Sequence, residues 1–339
     1  MSERAPVAVV IPSWNTLEHL AVCLASLRDQ SLPLEVMVVD NGSGDGSVAY
    51  MEREGVPHVS LPENVGFAAA VNLGVARTEA AAILVLNADT VLEPGCVGSL
   101  SGALERTDSL GGVQPRILQL EAGVGSEDGS AGPGAGGSAG AALDSARLYS
   151  AGQALTADGR AFELGAGEPQ RPELLARREV FGVCGAACLL RRELFDELGG
   201  YEESYFAFYE DVDLNVRARI AGWRFEYVPE AVVWHVGNAA WLEGFARPGA
   251  ENARLVARNR LATQVKFMPP RSLPRILAVE VGALARAARQ RRFAATLRGK
   301  LAALRWLPAL LRDRRRLRES GDVSLARRWL CARPGKSGP

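Results

Sequence analysis

Short apolar runs alternate with helix-period segments along the first hundred positions. VAVVIP (7–12) and LEVMVVD (34–40) are rich in β-branched residues and close in polar turns, which predicts buried strands. Between them Leu17, Leu20, Leu24 and Leu27 recur at spacings of three and four, the apolar face of a helix over 16–29. NGSGDGS after residue 40 reads as a turn, followed by a short helix near 46–54 and a short strand near 57–61. FAAAVNLGVAR (67–77) predicts a helix of small residues, and AAILVLNAD (81–89) a strand that ends in an acid. Pro94 suits the first turn of the next helix.

Further along, EVFGVCGAACLLRR (179–192) is core-like, and RRELFDELGG predicts a helix closed near Gly199. In YFAFYEDVDLNVRARIAGW (205–223) the signals conflict. Val212, Leu214, Val216, Ala218 and Ile220 alternate with polar residues, which alone suggests a strand. Acids at the start, arginines late and Gly222 just beyond favour a helix, which is the expectation adopted. WRFEYVPEAVVWH (223–235) predicts two short strands broken at Pro229. From about residue 253 arginines alternate with Leu/Ala patches. This predicts amphipathic helices with breaks at Pro269, Pro270, Pro274 and Pro308.

Strand–helix alternation with apolar strands implies an α/β fold: a mostly parallel sheet with helices on both faces. Ligands of such sheets bind beyond the carboxyl ends of the strands. The polar clusters PSWN (12–15), DNGSGDGS (40–47) and NAD (87–89) all fall there. The expected organisation is an α/β domain over 1–250 and a basic helical tail over 251–339. Residues 121–142, rich in Gly, Ala and Ser, are expected to form a floppy surface insertion.

Charge sharpens this division. The 339-residue chain has a formal net charge of zero, yet Arg286 to Lys336 holds sixteen Lys/Arg against three acids. That segment carries +13 and the remainder −13, a tail suited to meeting anions. The five cysteines are odd in number and scattered, which fits a reducing compartment. Cys184 and Cys188 read as buried thiols rather than a metal or redox pair. Neither a secretory signal nor an ordinary membrane span is expected, so the expected location is the cytoplasm.

Four positions carry candidate chemistry. Asn87 and Asp89 put two oxygen-bearing side chains at the sheet rim. That suits a hard divalent cation, although an Asp there also caps turns. Asp40 could accept from the imide N–H of a pyrimidine, or simply cap its turn. His235 follows the apolar run AVVW and becomes a ligand only if the fold brings it to Asp89. Glu210 and Asp211 follow the rings of Tyr205, Phe206, Phe208 and Tyr209. Burial there raises a carboxyl pKa towards that of a useful base, whereas a helix N-terminus lowers it. The sequence leaves these two effects unranked.

Taken in order, VVIPSWN, VVDNGSGDGS, ENVGFAAAVNLG, LVLNADT, the run from CGAACLL to VVWHVG, and ARNR resemble the signatures of the family-2 inverting glycosyltransferases. The match is to the rhamnosyltransferase-like branch that builds bacterial cell-surface polysaccharide, and it covers roughly residues 6–265 outside the insertion. The resemblance implies a GT-A fold, Rossmann-like, with a mixed sheet. It implies that Pro12 and Trp14 line the base pocket, that Asp40 reads the pyrimidine, and that Asn64 and Asn72 flank the nucleotide or sugar. Asn87, Ala88 and Asp89 would stand at the family's Asp-x-Asp position. Asp89 and His235 would contact a divalent metal, Mg²⁺ or Mn²⁺. Asp211 would be the catalytic base, and Glu210 would bind the acceptor or orient that base. Asn87 departs from the family pattern by removing one negative charge near the metal.

The resemblance also implies the reaction. Sugar passes from a nucleoside diphosphate, dTDP-rhamnose in this branch, to a hydroxyl of a glycan or polyprenyl-linked acceptor. UDP-galactose, UDP-N-acetylglucosamine or another UDP-sugar are alternative donors. A nucleotide-binding scaffold without catalysis is the alternative from another class. The basic tail would either rest on the anionic inner face of the plasma membrane or pack on the catalytic domain. No nucleic-acid reader motif is present.

Overall fold

The computed structural model describes residues 6–120, 143, 145–237 and 248–331. The expected insertion, 121–142, lies outside them. The strands β1 (Val7–Ser13), β2 (Leu34–Asp40) and β3 (His58–Ser60) run parallel, linked by the helices α1 (Leu17–Arg28) and α2 (Ser47–Glu54). After α3 (Phe67–Val75), β4 (Ala82–Leu86) joins the other side of β1, also parallel. Val7 to Ile11 are buried without a break, because helices cover both sheet faces. On one face α1, α2 and, after the short strand β5 (Thr90–Leu92), α4 (Cys96–Leu104) supply the apolar contacts. On the other face α3 lies so close that a Cβ on Gly74 would stand 2.4 Å from Val10 Cγ1.

The second half of the sheet is mixed. It contains β6 (Leu110–Gln119), β7 (Leu148–Ser150), β10 (Arg178–Val180), β11 (Ala187–Arg191) and β12 (Arg224–His235). The order is β10-β12-β6-β11-β4-β1-β2-β3, with β5 on β12 and β7 on β6. β11 runs antiparallel to both β4 and β6, so it is the seam between the halves. A hairpin of β8 (Gln153–Thr156) and β9 (Ala161–Glu163) forms a small second sheet with β13 (Leu330–Cys331).

One expectation needs adjustment. Residues 224–235 form one strand rather than two. Its pairing with β6 jumps between Val228 and Val232, so Pro229 occupies an irregularity where its missing N–H costs no ladder bond. Residues 210–221 are helical, as chosen, and the misleading alternation has a cause. α5 (Arg192–Glu197) and α6 (Glu210–Ala221) pack behind the sheet, and α6 is covered on two sides. Leu214 and Ala218 face the sheet, while Val212, Val216 and Ile220 face a separate cluster with Phe267 and Ala326 from the tail.

That tail comprises α7 (Pro248–Phe267), α8 (Leu273–Arg289), α9 (Phe293–Arg305), α10 (Leu307–Ser320) and α11 (Val323–Arg327). Pro274 and Pro308 begin helices, as the expected breaks require. The expected domain boundary at residue 250 falls inside α7. Ion pairs tie the tail helices to one another and to the body. Glu280 pairs with Arg260 at 2.8 Å and also with Lys300, and Lys266 reaches the fully buried Asp213 at 2.7 Å. Among the described residues no helix is long and apolar enough to cross a membrane.

Candidate active site

A cavity of about 360 Å³ opens beyond the carboxyl ends of β1 and β4. Pro12, Trp14 and Asn64 line it, together with Asn87, Ala88 and Asp89. His235, Glu210 and Asp211 line the same cavity. The two ends of the expected site, 89 and 211, therefore share one space. Asp40 does not line it directly. It is buried at the end of β2, where one carboxylate oxygen accepts from Ser43 N at 3.1 Å and the other, Oδ1, is buried without a partner. Asn72 does not line the cavity either. Its amide donates to Tyr201 O and Glu203 and accepts from Tyr201 N, so it fixes a loop instead.

The short strand β5 turns antiparallel onto the end of β12, pairing Thr90 with His235. This register sets His235 Nε2 3.1 Å from Asp89 Oδ1 and 3.2 Å from the amide of Asn87. The edge of the Tyr149 ring packs on the imidazole, centroids 4.4 Å apart, and fixes its plane. A carboxylate and an imidazole nitrogen converging at a polar rim, with an amide beside them, fit a divalent cation. A second acidic group, Glu163 with Cys184 and Asp211, is a poorer set. Burial raises the Cys184 thiol well above its usual value, so it stays protonated.

Asp211 opens α6. The segment before it is strained: Phe206, Phe208 and Tyr209 take φ values of 65°, 67° and 71°. Large side chains rarely adopt such angles, at about 1–3 kcal/mol each. Gly66 makes room for this segment. Its own φ is 94°, and a Cβ there would lie 2.6 Å from Phe206 O. The amide of the fully buried Asn259, on α7, donates to the carbonyls of Tyr205, Ala207 and Phe208 at 2.9, 2.8 and 2.6 Å. Arg258 adds a bond to Tyr205 O at 2.6 Å. These two residues belong to the ARNR run, which carried no assigned role.

The geometry ranks the two effects on the acids. Burial raises Asp211, although Gly185 N, Val212 N and the Gln153 amide all donate to it. Burial and the Asp211 charge raise Glu210 well above the carboxylate range, and its Oε2 has no partner. Asp211 is therefore the first of the pair to ionise. Asp213 differs: burial alone would raise it, but Lys266 and Arg217 outweigh that and hold it low. It is a structural ion rather than part of the site.

The fold, with a cavity beyond the strand ends that holds buried acids, is that of a GT-A glycosyltransferase, and comparison with known proteins agrees. The model of the family "Glycosyl transferase family 2" matches residues 8–123. The chain is 31% identical over 258 residues to N-acetylglucosaminyl-diphospho-decaprenol L-rhamnosyltransferase of Mycobacterium tuberculosis, over 69% of this chain and 76% of that one. It is 30% identical over 263 residues to the pre-mycofactocin glycosyltransferase of the same species, over 75% of this chain and 48% of the other. Two solved structures share the fold. One is the mannosyltransferase PcManGT from Pyrobaculum calidifontis with GDP-Man and Mn²⁺, with TM-score 0.50, 18% identity, and 96% and 86% of the two chains covered. The other is GalNAc-T7 with UDP, GalNAc and Mn²⁺, with TM-score 0.53, 17% identity, and 78% and 52% covered. The protein belongs to glycosyltransferase family 2 and is rhamnosyltransferase-like.

Proposed function

We propose that this enzyme moves a sugar, with inversion, from a nucleoside-diphosphate donor to a hydroxyl of a glycan or lipid-linked acceptor, and that dTDP-rhamnose is the donor. The observation that carries the reading is that Asp211 opens into the same cavity as Asp89 and His235. Asp211 takes the acceptor proton. The freed oxygen attacks the anomeric carbon, and the nucleoside diphosphate leaves from the opposite face. One displacement inverts the centre. General base catalysis contributes on the order of 10²–10⁴-fold. Glu210, held neutral, keeps the Asp211 charge from being doubled. Asp89 and His235 would hold Mg²⁺ or Mn²⁺, which supplies positive charge for the departing diphosphate. Pro12, Trp14 and Asn64 would enclose the base and ribose. The unpartnered Asp40 Oδ1 at the end of β2 is the acceptor left for an imide N–H.

The catalytic unit is best drawn to include α7, because that helix supplies Asn259. The tail beyond it presents an apolar face to solvent. Leu277 and Val281 on α8, Leu301 and Leu304 on α9, and Leu311 on α10 are each at least half exposed, and exposed arginines surround them. This combination suits an anionic lipid surface and would bring the cavity to a lipid-linked acceptor.

The direct test is donor hydrolysis across dTDP-, UDP- and GDP-sugars, with and without Mn²⁺ or Mg²⁺. Preference for dTDP-rhamnose supports the reading. Preference for UDP-galactose or UDP-N-acetylglucosamine replaces the donor. Absence of turnover with all of them would leave the catalytic reading without support.

A further inference from the structure

Glu163 stands on β9, in a stretch that carried no motif and no expected site residue, yet it lines the cavity beside Asp211. An oxygen of Glu163, an oxygen of Asp211 and the Cys184 sulfur all lie within 4.8 Å of one another. One amide holds the two carboxylates together. Gln153 Nε2 donates to Glu163 Oε1 at 3.2 Å and to Asp211 Oδ2 at 3.0 Å. Its orientation is fixed, because Gln153 Oε1 accepts from Asn215 Nδ2 at 2.8 Å. Asn215 is fixed in turn by the N–H and carbonyl of Val183. On the far side Ser150 Oγ donates to Glu163 Oε2 at 2.5 Å and accepts from Gln114 Nε2 at 2.7 Å.

Every bond given to these two carboxylates comes from the protein side. Each carboxylate oxygen has two lone pairs, so accepting capacity remains on the cavity side. A second, independent mark points the same way: Glu210 is 6% exposed, lines the cavity, and leaves Oε2 without a partner. Glu163 and Asp211 thus present acceptors side by side, and the neutral Glu210 adds one more unsatisfied group. A ligand that satisfies the two carboxyl groups must bring two O–H groups.

We propose that Glu163 is an acceptor-specificity residue: it binds the ring hydroxyl next to the one that Asp211 deprotonates, so the preferred acceptor is a sugar with a vicinal diol. This rests on Asp211 being the base. A lone hydroxyl has one proton and satisfies one carboxylate. Two hydroxyls on neighbouring ring carbons stand side by side, and each can donate to its own carboxyl group, with a short charge-assisted contact of about 2.5–2.7 Å where that group is ionised. The second bond also fixes the rotation of the ring, which decides the oxygen that faces Asp211. A hard cation suits the pair less well, because its third neighbour is a protonated thiol.

The test measures transfer from the donor chosen above to octyl β-glucoside, octyl N-acetyl-β-glucosaminide and their monodeoxy forms. Wild type is compared with Glu163→Ala and with Glu163→Gln, which keeps the size. Removing the hydroxyl beside the transferred position should lower wild-type kcat/KM roughly ten- to hundredfold. Glu163→Ala should then use that deoxy analogue and its parent equally. If the variants discriminate as wild type does, or lose parent and analogue in equal proportion to a structural defect, the proposal is overturned. Preference for simple alcohols over every glycoside overturns it too. Asp211→Asn run in parallel separates the two ideas: full turnover there removes the base, while the wild-type and Glu163 comparison still reads the neighbouring hydroxyl.

Discussion

The amide of Asn259 donates to the carbonyl of Phe208 at 2.6 Å, across 51 positions of chain. Phe208 holds a left-handed φ of 67°, so the bond clamps a strained residue just ahead of Glu210 and Asp211. Asn259→Ala deprives the carbonyls of Ala207 and Phe208 of this donor. It should destabilise the protein by roughly 2–4 kcal/mol and lower transfer at temperatures where the variant is still folded. Urea unfolding with parallel assays checks both; a variant with wild-type stability and kcat would deny the clamp.

Asp211→Asn removes the proton acceptor with little change of shape. Transfer should fall by on the order of 10²–10⁴-fold while dTDP affinity stays near wild type. Calorimetry with dTDP and a coupled release assay separate the two. Full turnover would take Asp211 out of the reaction.

Asp89→Asn and His235→Ala each strip one arm from the pair 3.1 Å apart. Mn²⁺ affinity in the presence of dTDP should drop at least tenfold in each, with nucleotide-independent stability of Asp89→Asn little changed. Activity in excess EDTA equal to that with Mn²⁺ would argue for a metal-free site.

Burial and the charge of Asp211 raise Glu163 from 4.5 to about 7, with Ser150, Gln153 and Cys184 pulling the other way and the neutral Tyr149 phenol close by. The folded protein holds this proton more tightly than the unfolded chain. Stability is therefore unaffected below pH 4.5, falls as pH rises to about 7, and is then level. The window amounts to about 3 kcal/mol. Glu163→Gln, which cannot ionise, should gain that much on wild type between pH 4 and pH 8 in denaturant titrations. Parallel pH profiles for the two proteins would show that Glu163 titrates normally.

Leu277, Leu301 and Leu304 are 56%, 50% and 52% exposed, so replacing them with Glu costs little fold stability. Wild type should float with vesicles containing phosphatidylglycerol and less with neutral phosphatidylcholine. Each arginine near the surface contributes roughly 1 kcal/mol. The triple Glu variant should remain in the bottom fraction. Equal flotation of the two proteins would reduce the tail to packing.

The strands β1 and β4 were legible because each is covered on both faces and so reads as an apolar run, and the half-buried β2 still shows the run VMVV after Glu35. The polar ends of β1 and β4 gave one wall of the cavity. What the sequence hid was pairing at long range. His235 reaches Asp89 only because the three residues of β5 pair with the end of β12, and nothing in TVL announces a partner so far along the chain. Glu163 and Gln153 carried no signal at all. Their meaning arises from one amide oriented by Asn215. Asn259 did carry a signal, in ARNR, but its work is on backbone carbonyls, which have no sequence. Asn72 stands apart from the cavity for a related reason: its amide is spent on the backbone of Tyr201.

The clamp on the loop also orders events at birth. Residues 205–209 leave the ribosome well before Asn259, which trails Phe208 by 51 residues, and domains condense from the N-terminus as they emerge. The parallel strands can therefore assemble while Asp211 still lies on unfixed chain. With Asp211 as the proposed base, competence to transfer sugar would arrive only with α7, and a prematurely terminated polypeptide would lack it.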